Sequence, residues 1–259
     1  MAFLDANDIR IHYEISGSAD LPVLVFSHSL GVNLAMWEPQ LPAVAERFRL
    51  LRYDTRGHGE SSVPSGQYSI DELGTDVLAL LDALEIRQAS FCGLSMGGVV
   101  GQWFGVHASH RLHKLVLANT AAKIGTDETW NSRIATVERD GLSSVIPGTI
   151  ERWFTAGFRL AQSKVTAKTE AMLRNMSPQG YIGCCAALRD TDLRGHVQTI
   201  DVPVLVITGN EDPVTPPDEA QFLAGAIADA TYVELGAAHL SNVEAAASFN
   251  AALLAFLTS

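Results

Sequence analysis

A chain of 259 residues is long enough for one domain with a sizeable insertion, or for two domains. Its composition, 47% hydrophobic and 18% charged, is that of a globular protein rather than a disordered or fibrous one. With 18 basic and 29 acidic residues the formal charge is -11; such a surface repels nucleic-acid backbones and anionic membranes, so neither is expected as a partner, although a local arginine can still hold a small anion. The three cysteines, Cys92, Cys184 and Cys185, are odd in number and two are adjacent, which fits neither a disulfide framework nor zinc spacing. A reduced, cytoplasmic setting is expected. The opening MAFLDANDIRIHYE lacks the basic start and apolar centre of a signal peptide, and no uncharged apolar run reaches membrane-spanning length.

In chain order, IRIHYE (9–14) alternates polar and apolar residues and is expected to form an edge or hairpin strand. VLVFS (23–27), RLLRY (49–53), ASFCG (89–93), KLVLA (114–118), VLVIT (204–208) and TYVEL (231–235) are short runs bounded by turn residues, as in the buried strands of a parallel sheet. Ile70, Leu73, Val77, Leu80, Leu81 and Leu84 make one apolar helix face between two of these strands. Strands alternating with helices predict an α/β, mostly parallel, doubly wound sheet. The alternation stops after Asn119. Between about Ile124 and Val197 helix-like pieces are separated by Gly141, Pro147-Gly148, Pro178 and Gly180, and alternation resumes at DVPVLVITGNEDPVTPP. The expected organisation is a core in residues 1–123 and 198–259, interrupted by a helical cap in 124–197. A cap over the carboxyl edge of such a sheet closes a ligand pocket.

The stretch FCGLSMGGVV (91–100) holds Ser95 among glycines, and glycine inside an element needs a backbone reason. A strand, Gly93-Leu94-Ser95-Met96-Gly97, then a helix is the G-x-S-x-G nucleophile elbow in its required setting. Neither a phosphate loop ending in Gly-Lys-Ser/Thr nor a G-x-G-x-x-G dinucleotide fingerprint is present there. A serine hydroxyl needs a base, and the base needs an orienting acid. In the order that accompanies this elbow, the acid follows a later strand and the base comes last. Asp212, just past VLVIT in GNEDPVTP, is the expected acid, with Glu211 as the fallback. His239, in GAAHLSNVE after TYVEL, is the expected base.

Two backbone N–H groups should face the oxyanion: that of Met96, directly after the nucleophile, and that of Leu30 in His28-Ser29-Leu30-Gly31. The usual form of that loop is His-Gly-x, so Ser29 is a departure. His107, His110 and His113 fall near a helix end and fan across a wide arc, so no metal site is expected. Asp54-Thr55-Arg56-Gly57-His58-Gly59 follows a strand and is expected to be a turn and ion-pair scaffold near the site. Cys184-Cys185 is expected to pack in a helix.

At these residues the chain resembles the α/β-hydrolase fold family, from about Ile9 to the C-terminus. Within it, ANTAAKIGT (118–126), ERWFT (151–155), GYIGCCAALRDTDLR (180–194) and AAHLSNVE (237–244) resemble the 3-oxoadipate enol-lactonases of aromatic degradation. The elbow is general to the superfamily, whereas caps vary with substrate. The resemblance implies hydrolysis of an anionic lactone through an acyl-enzyme on Ser95, with no metal or organic cofactor. A broad carboxylesterase and a cofactor-free haloperoxidase are the alternatives within the fold, and a non-catalytic binding or signalling protein the alternative outside enzymes. The implied substrate carries a carboxylate, which needs a cation once covered by a cap. ETWNSR puts Trp130 and Arg133 three apart, on one side of a helix if this segment is helical; Trp130 is expected to wall the pocket and Arg133 to bind the carboxylate, with Lys123 and Arg189 as rival anchors. The oligomeric state is not legible.

Overall fold

Eight strands form one sheet in the order β1-β2-β4-β3-β5-β6-β7-β8, in a computed structural model that describes residues 2–259. The strands are β1 (Ala2–Ala6), β2 (Ile9–Ser16), β3 (Val23–Ser27), β4 (Arg49–Tyr53), β5 (Ala89–Leu94), β6 (Leu112–Ala118), β7 (Val204–Gly209) and β8 (Ala230–Leu235). β1 and β2 form an antiparallel hairpin, β2 runs antiparallel to β4, and the remaining pairings are parallel. The central strands β5 and β7 are buried along their whole length, because helices cover both faces of a parallel sheet; this is why they read as mostly apolar runs, broken only by the small polar side chains of Ser90 and Thr208. The strand over residues 9–14 is therefore the inner half of a hairpin and not an edge. β1 occupies the edge, and its alternation of half-buried and exposed residues is too short a signal to stand out in the sequence.

Helix α1 (Ile70–Ala83) starts at Ser69, whose hydroxyl caps the Glu72 N–H while Glu72 returns the bond to the Ser69 N–H. It buries Leu73, Val77, Leu80 and Leu81, the face expected from its spacing. Helix α2 (Met96–His107) follows β5 with no connecting loop beyond Ser95, and it is buried from Met96 to Gly105. Between β6 and β7 lie only helices and single turns: α3 (Asp127–Asp140), α4 (Ile146–Trp153), α5 (Ala156–Ala161), α6 (Ser163–Arg174) and α7 (Pro178–Asp190). Helices α8 (Pro217–Ala226) and α9 (Ala246–Thr258) complete the chain. Among the described residues no helix is long and apolar enough to cross a membrane.

Candidate active site

The turn from β5 into α2 is strained. Ser95 has φ 56° and ψ −116°, a region that costs a non-glycine residue about 1–3 kcal/mol. The surroundings hold it there: the Ser95 N–H donates to the Ala118 carbonyl on β6 (2.9 Å), and the Thr120 hydroxyl donates to the Ser95 carbonyl (2.8 Å). The glycines answer a crowding problem. A Cβ on Gly93 would lie 2.0 Å from the Gly97 carbonyl oxygen, and one on Gly97 would lie 2.1 Å from that of Ser27. The turn can be this tight only if both lack side chains. The positive end of α2 is thereby brought to the serine.

Asp212 lies just past the end of β7 and His239 in the loop after β8. Their side chains, 93 and 120 positions beyond Asn119 in the chain, meet because β6, β7 and β8 are neighbours. His239 Nδ1 and Asp212 Oδ2 are 2.8 Å apart, and both side chains are buried. The carboxylate is saturated with donors. Val214 N–H (2.8 Å) and Thr215 N–H (3.1 Å) bond Oδ1, while the Thr215 hydroxyl (2.8 Å) and Asn119 Nδ2 (2.9 Å) bond Oδ2. Burial by itself pushes this carboxyl up, but the His239 charge and these hydrogen bonds outweigh it and hold it below the usual carboxylate range. Such a carboxylate stays ionised, keeps the His239 proton on Nδ1 and leaves Nε2 as the basic nitrogen. Glu211, the fallback, is exposed and offers only its backbone N–H, to the Ala237 carbonyl.

The Leu30 and Met96 N–H groups have no hydrogen-bond acceptor among the described residues, although both residues are buried. Buried N–H groups are nearly always paired, so two free ones beside Ser95 are a place for an anion. Leu30, Ser29, Ser95 and His239 line one cavity of about 280 Å³. The Met96 side chain points into the core, so only its backbone bears on the site.

Trp130 and Arg133 lie on α3 and line the same cavity. The Trp130 indole N–H donates to the Ile124 carbonyl (2.6 Å), and the Arg133 guanidinium lies over the ring at 5.6 Å. Arg133 also donates to the Tyr181 hydroxyl (3.2 Å). The rival anchors are engaged elsewhere: Lys123 with Asp127 and the Arg189 carbonyl, Arg189 with Asp190, Asn131 and Gln67.

The sequence reading missed a second cation, Arg152 of α4, which lines this cavity as well. Neither Arg133 nor Arg152 has an acidic partner among the described residues. Burial, and then the neighbouring Arg133 charge, holds the Arg152 guanidinium below the ordinary arginine value. Tyr181 is pushed up to about 12, chiefly by burial, so its hydroxyl keeps its proton, for which no acceptor is in reach among the described residues. Two guanidinium groups without acidic partners among the described residues, bonded only to the Tyr181 and Thr149 hydroxyls, and the Tyr181 O–H beside one cavity are suited to a carboxylate. Asn119 and Thr215 were also missed. Their roles depend on Asp212, which is 93 residues from Asn119.

The Asp54–Gly59 segment is the scaffold expected of it. Asp54 Oδ1 takes the Leu34 N–H (2.8 Å), and Oδ2 takes the Glu60 N–H (3.0 Å) and bonds His12 (2.7 Å). Arg56 makes a two-pronged contact with Asp76 (2.6 and 2.7 Å) and a third bond to Glu72 (2.7 Å). His107, His110 and His113 sit on three successive elements, the end of α2, a single turn and β6. Cys184 and Cys185 are buried in α7, and burial raises both thiols above their ordinary value.

Comparison with known proteins agrees with this geometry. The profile of the alpha/beta hydrolase fold matches residues 22–246. The chain is 46% identical to the 3-oxoadipate enol-lactonase 2 of Acinetobacter baylyi, over 98% of this chain and 95% of that one. It is 40% identical to the 3-oxoadipate enol-lactonase 1 of the same organism, over 89% and 86%. The crystal structure of the enol-lactonase from Burkholderia xenovorans superposes over the whole of both chains with a TM-score of 0.98 at 41% identity. The strand order, the strained serine turn and these matches make the chain a member of the α/β-hydrolase fold family.

Proposed function

We propose that this protein hydrolyses 3-oxoadipate enol-lactone to 3-oxoadipate through an acyl-enzyme on Ser95. One observation carries the reading: a strained serine and a buried His–Asp pair open onto a cavity that also holds two arginines without acidic partners. The enol-lactonase relatives support the choice of substrate. Residues 124–197 act as the cap and supply Trp130, Arg133, Arg152 and Tyr181 to the cavity, while residues 1–123 and 198–259 form the core that supplies Ser95, Asp212 and His239.

His239 Nε2 takes the Ser95 proton as Oγ attacks the lactone carbonyl carbon. The negative charge moves onto the former carbonyl oxygen, where the Leu30 and Met96 N–H groups receive it; each such donor is worth about 3 kcal/mol in a transition state. Collapse breaks the ring C–O bond and expels an enolate, which takes the proton from His239 and becomes the ketone. Water then gives a proton to His239 and adds to the acyl carbon; collapse breaks the bond to Ser95 Oγ, which recovers that proton from His239, and releases the second carboxyl group. Throughout, the substrate's own carboxylate rests against Arg133 and Arg152, which fixes the distance from it to the reacting carbonyl. The chemistry as written requires no cofactor, and the partner is a small anionic lactone.

The test is steady-state hydrolysis of the enol-lactone beside uncharged p-nitrophenyl esters. The reading requires a much higher kcat/KM for the lactone, lost in Ser95→Ala. A preference for the simple esters would replace it with a broad carboxylesterase.

A further inference from the structure

Two buried histidines outside the His–Asp pair tie the loop after β3 to the loop after β4. His28 Nδ1–H donates to the Ser29 carbonyl (2.8 Å), and its Nε2 accepts the Thr55 N–H (3.0 Å). His58 reaches back from the second loop: its Nε2 accepts the Gly31 N–H (3.0 Å), and its Nδ1–H donates to the Arg56 carbonyl (3.2 Å). A nitrogen that faces an N–H must carry its lone pair, so both rings are neutral Nδ1–H tautomers. Burial lowers the proton affinity of both, that of His58 strongly, in keeping with this.

These bonds fall on the two peptide groups that flank the Leu30 Cα. Ser29 C=O and Leu30 N–H belong to one planar trans peptide and point in opposite directions, so holding the carbonyl aims the N–H. Leu30 C=O and Gly31 N–H belong to the next peptide, which His58 holds. With both planes fixed, Leu30 has no soft dihedral left. His58 is itself confined. The His28 ring lies 4.9 Å away, and Cys184 Sγ of α7 lies 3.9 Å from Nδ1. Here α7 meets the second loop backbone to backbone, since a Cβ on Gly180 would lie 2.1 Å from the Gly57 carbonyl oxygen.

We infer that His58 is a positioning residue for hydrolysis: by accepting the Gly31 N–H it locks the second of the two peptides that aim the Leu30 N–H at the oxyanion, and helix α7 holds the ring in place. The inference rests on Leu30 N–H being an oxyanion donor, not on the identity of the lactone. It is therefore tested on both the enol-lactone and p-nitrophenyl acetate. A wild-type protein that hydrolyses only the ester removes the proposed substrate and leaves the test of His58 intact.

His58→Leu removes the acceptor. His58→Gln places an amide oxygen close to the position of Nε2. The expected result for His58→Leu is a fall in kcat of about ten- to a hundredfold on both substrates, with KM within about twofold, because a misaimed donor is felt only when the oxyanion forms. Affinity for an alkyl boronic acid, which is tetrahedral once bound to serine, should fall by the same factor. His58→Gln should recover most of both losses. A loss of thermal stability with kcat intact, a rise in KM alone, or a Gln variant as poor as Leu would overturn the inference. Independently of any variant, nitrogen NMR of the wild type should show an unprotonated His58 Nε2 with a coupling across the hydrogen bond to the Gly31 nitrogen. A protonated Nε2 would also overturn it.

Discussion

Replacing Arg133 by alanine should weaken binding of the lactone acid while sparing uncharged esters. Arg133 and Arg152 line the same cavity as Ser95 and His239 and lack acidic partners among the described residues. A guanidinium about 4 Å from a carboxylate, at an effective dielectric of about 20, gives a gross attraction of about 4 kcal/mol. Desolvation of both ions reduces this, and hydrogen bonds to charged groups are worth a net ~1.5–3 kcal/mol. Two features of the site place the loss near the lower end. Arg152 and the Tyr181 hydroxyl remain to hold the carboxylate, and removing Arg133 relieves a repulsion that lowers the proton affinity of Arg152. A loss of about 1.5–2 kcal/mol corresponds to a KM raised roughly ten- to thirtyfold. Arg133→Lys should restore little, since an ammonium cannot make the two-pronged contact. The double variant with Arg152→Ala should cost more than either alone, because the carboxylate is then covered without a cation. The assay is steady-state kinetics on the lactone acid and on an uncharged ester. Equal losses on both substrates would assign Arg133 to the support of α3, and no loss on either would remove it from the binding site.

Ser95→Ala should reduce turnover at least about a thousandfold with an unchanged circular dichroism spectrum; activity above a hundredth of wild type would remove Ser95 as nucleophile. Asp212→Asn should lower kcat by about 10³–10⁴, because Asn cannot hold the Nδ1–H tautomer of His239, while Glu211→Gln should be nearly normal; the reverse pattern would exchange their roles. Stability should fall as pH falls below about 6.5. His58 is neutral in the fold with its proton affinity strongly lowered by burial, so between pH 6.5 and 5.5 the unfolded chain takes up a proton that the folded chain does not. That costs about 1 kcal/mol over this unit, and His28 acts in the same direction. Below about pH 4 Asp212 adds a further loss, since its lowered folded value means that the unfolded chain protonates first. Urea unfolding between pH 7.5 and 5.5 should show this slope, shallower in His58→Gln; a flat profile would mean that His58 is not held neutral.

Wherever a residue's role follows from its own strand and turn, the sequence was enough. The runs at 23–27 and 49–53 are β3 and β4 to the residue, since each centres on apolar residues that are buried in the sheet, Leu24, Val25 and Phe26 in one and Leu50, Leu51 and Tyr53 in the other, and turn residues bound them. The elbow was legible for the same reason: the glycines on either side of Ser95 are a local answer to local crowding. The positions of Asp212 and His239 at strand ends followed from the chain order of acid and base. Trp130 and Arg133 share a side of α3 because a spacing of three is a helical neighbour.

Tertiary structure alone decided which distant groups meet. Arg152 had no marker in ERWFT to set it apart from a surface arginine; it became a binding candidate only when α4 brought it beside Arg133 on α3. Lys123 and Arg189 stood as rivals to Arg133 until folding gave them acidic partners nearby and left Arg133 without one. The grip of Asn119 on Asp212 spans 93 residues and that of His58 on Gly31 spans 27, and both depend on strand order and loop approach. The edge strand β1 is another case, because AFLDA is short and half-exposed and is a strand only through its pairing with residues 9–13. Periodicity records which face of an element is buried. It carries no information about what that face, or a polar side chain at its edge, will find opposite it.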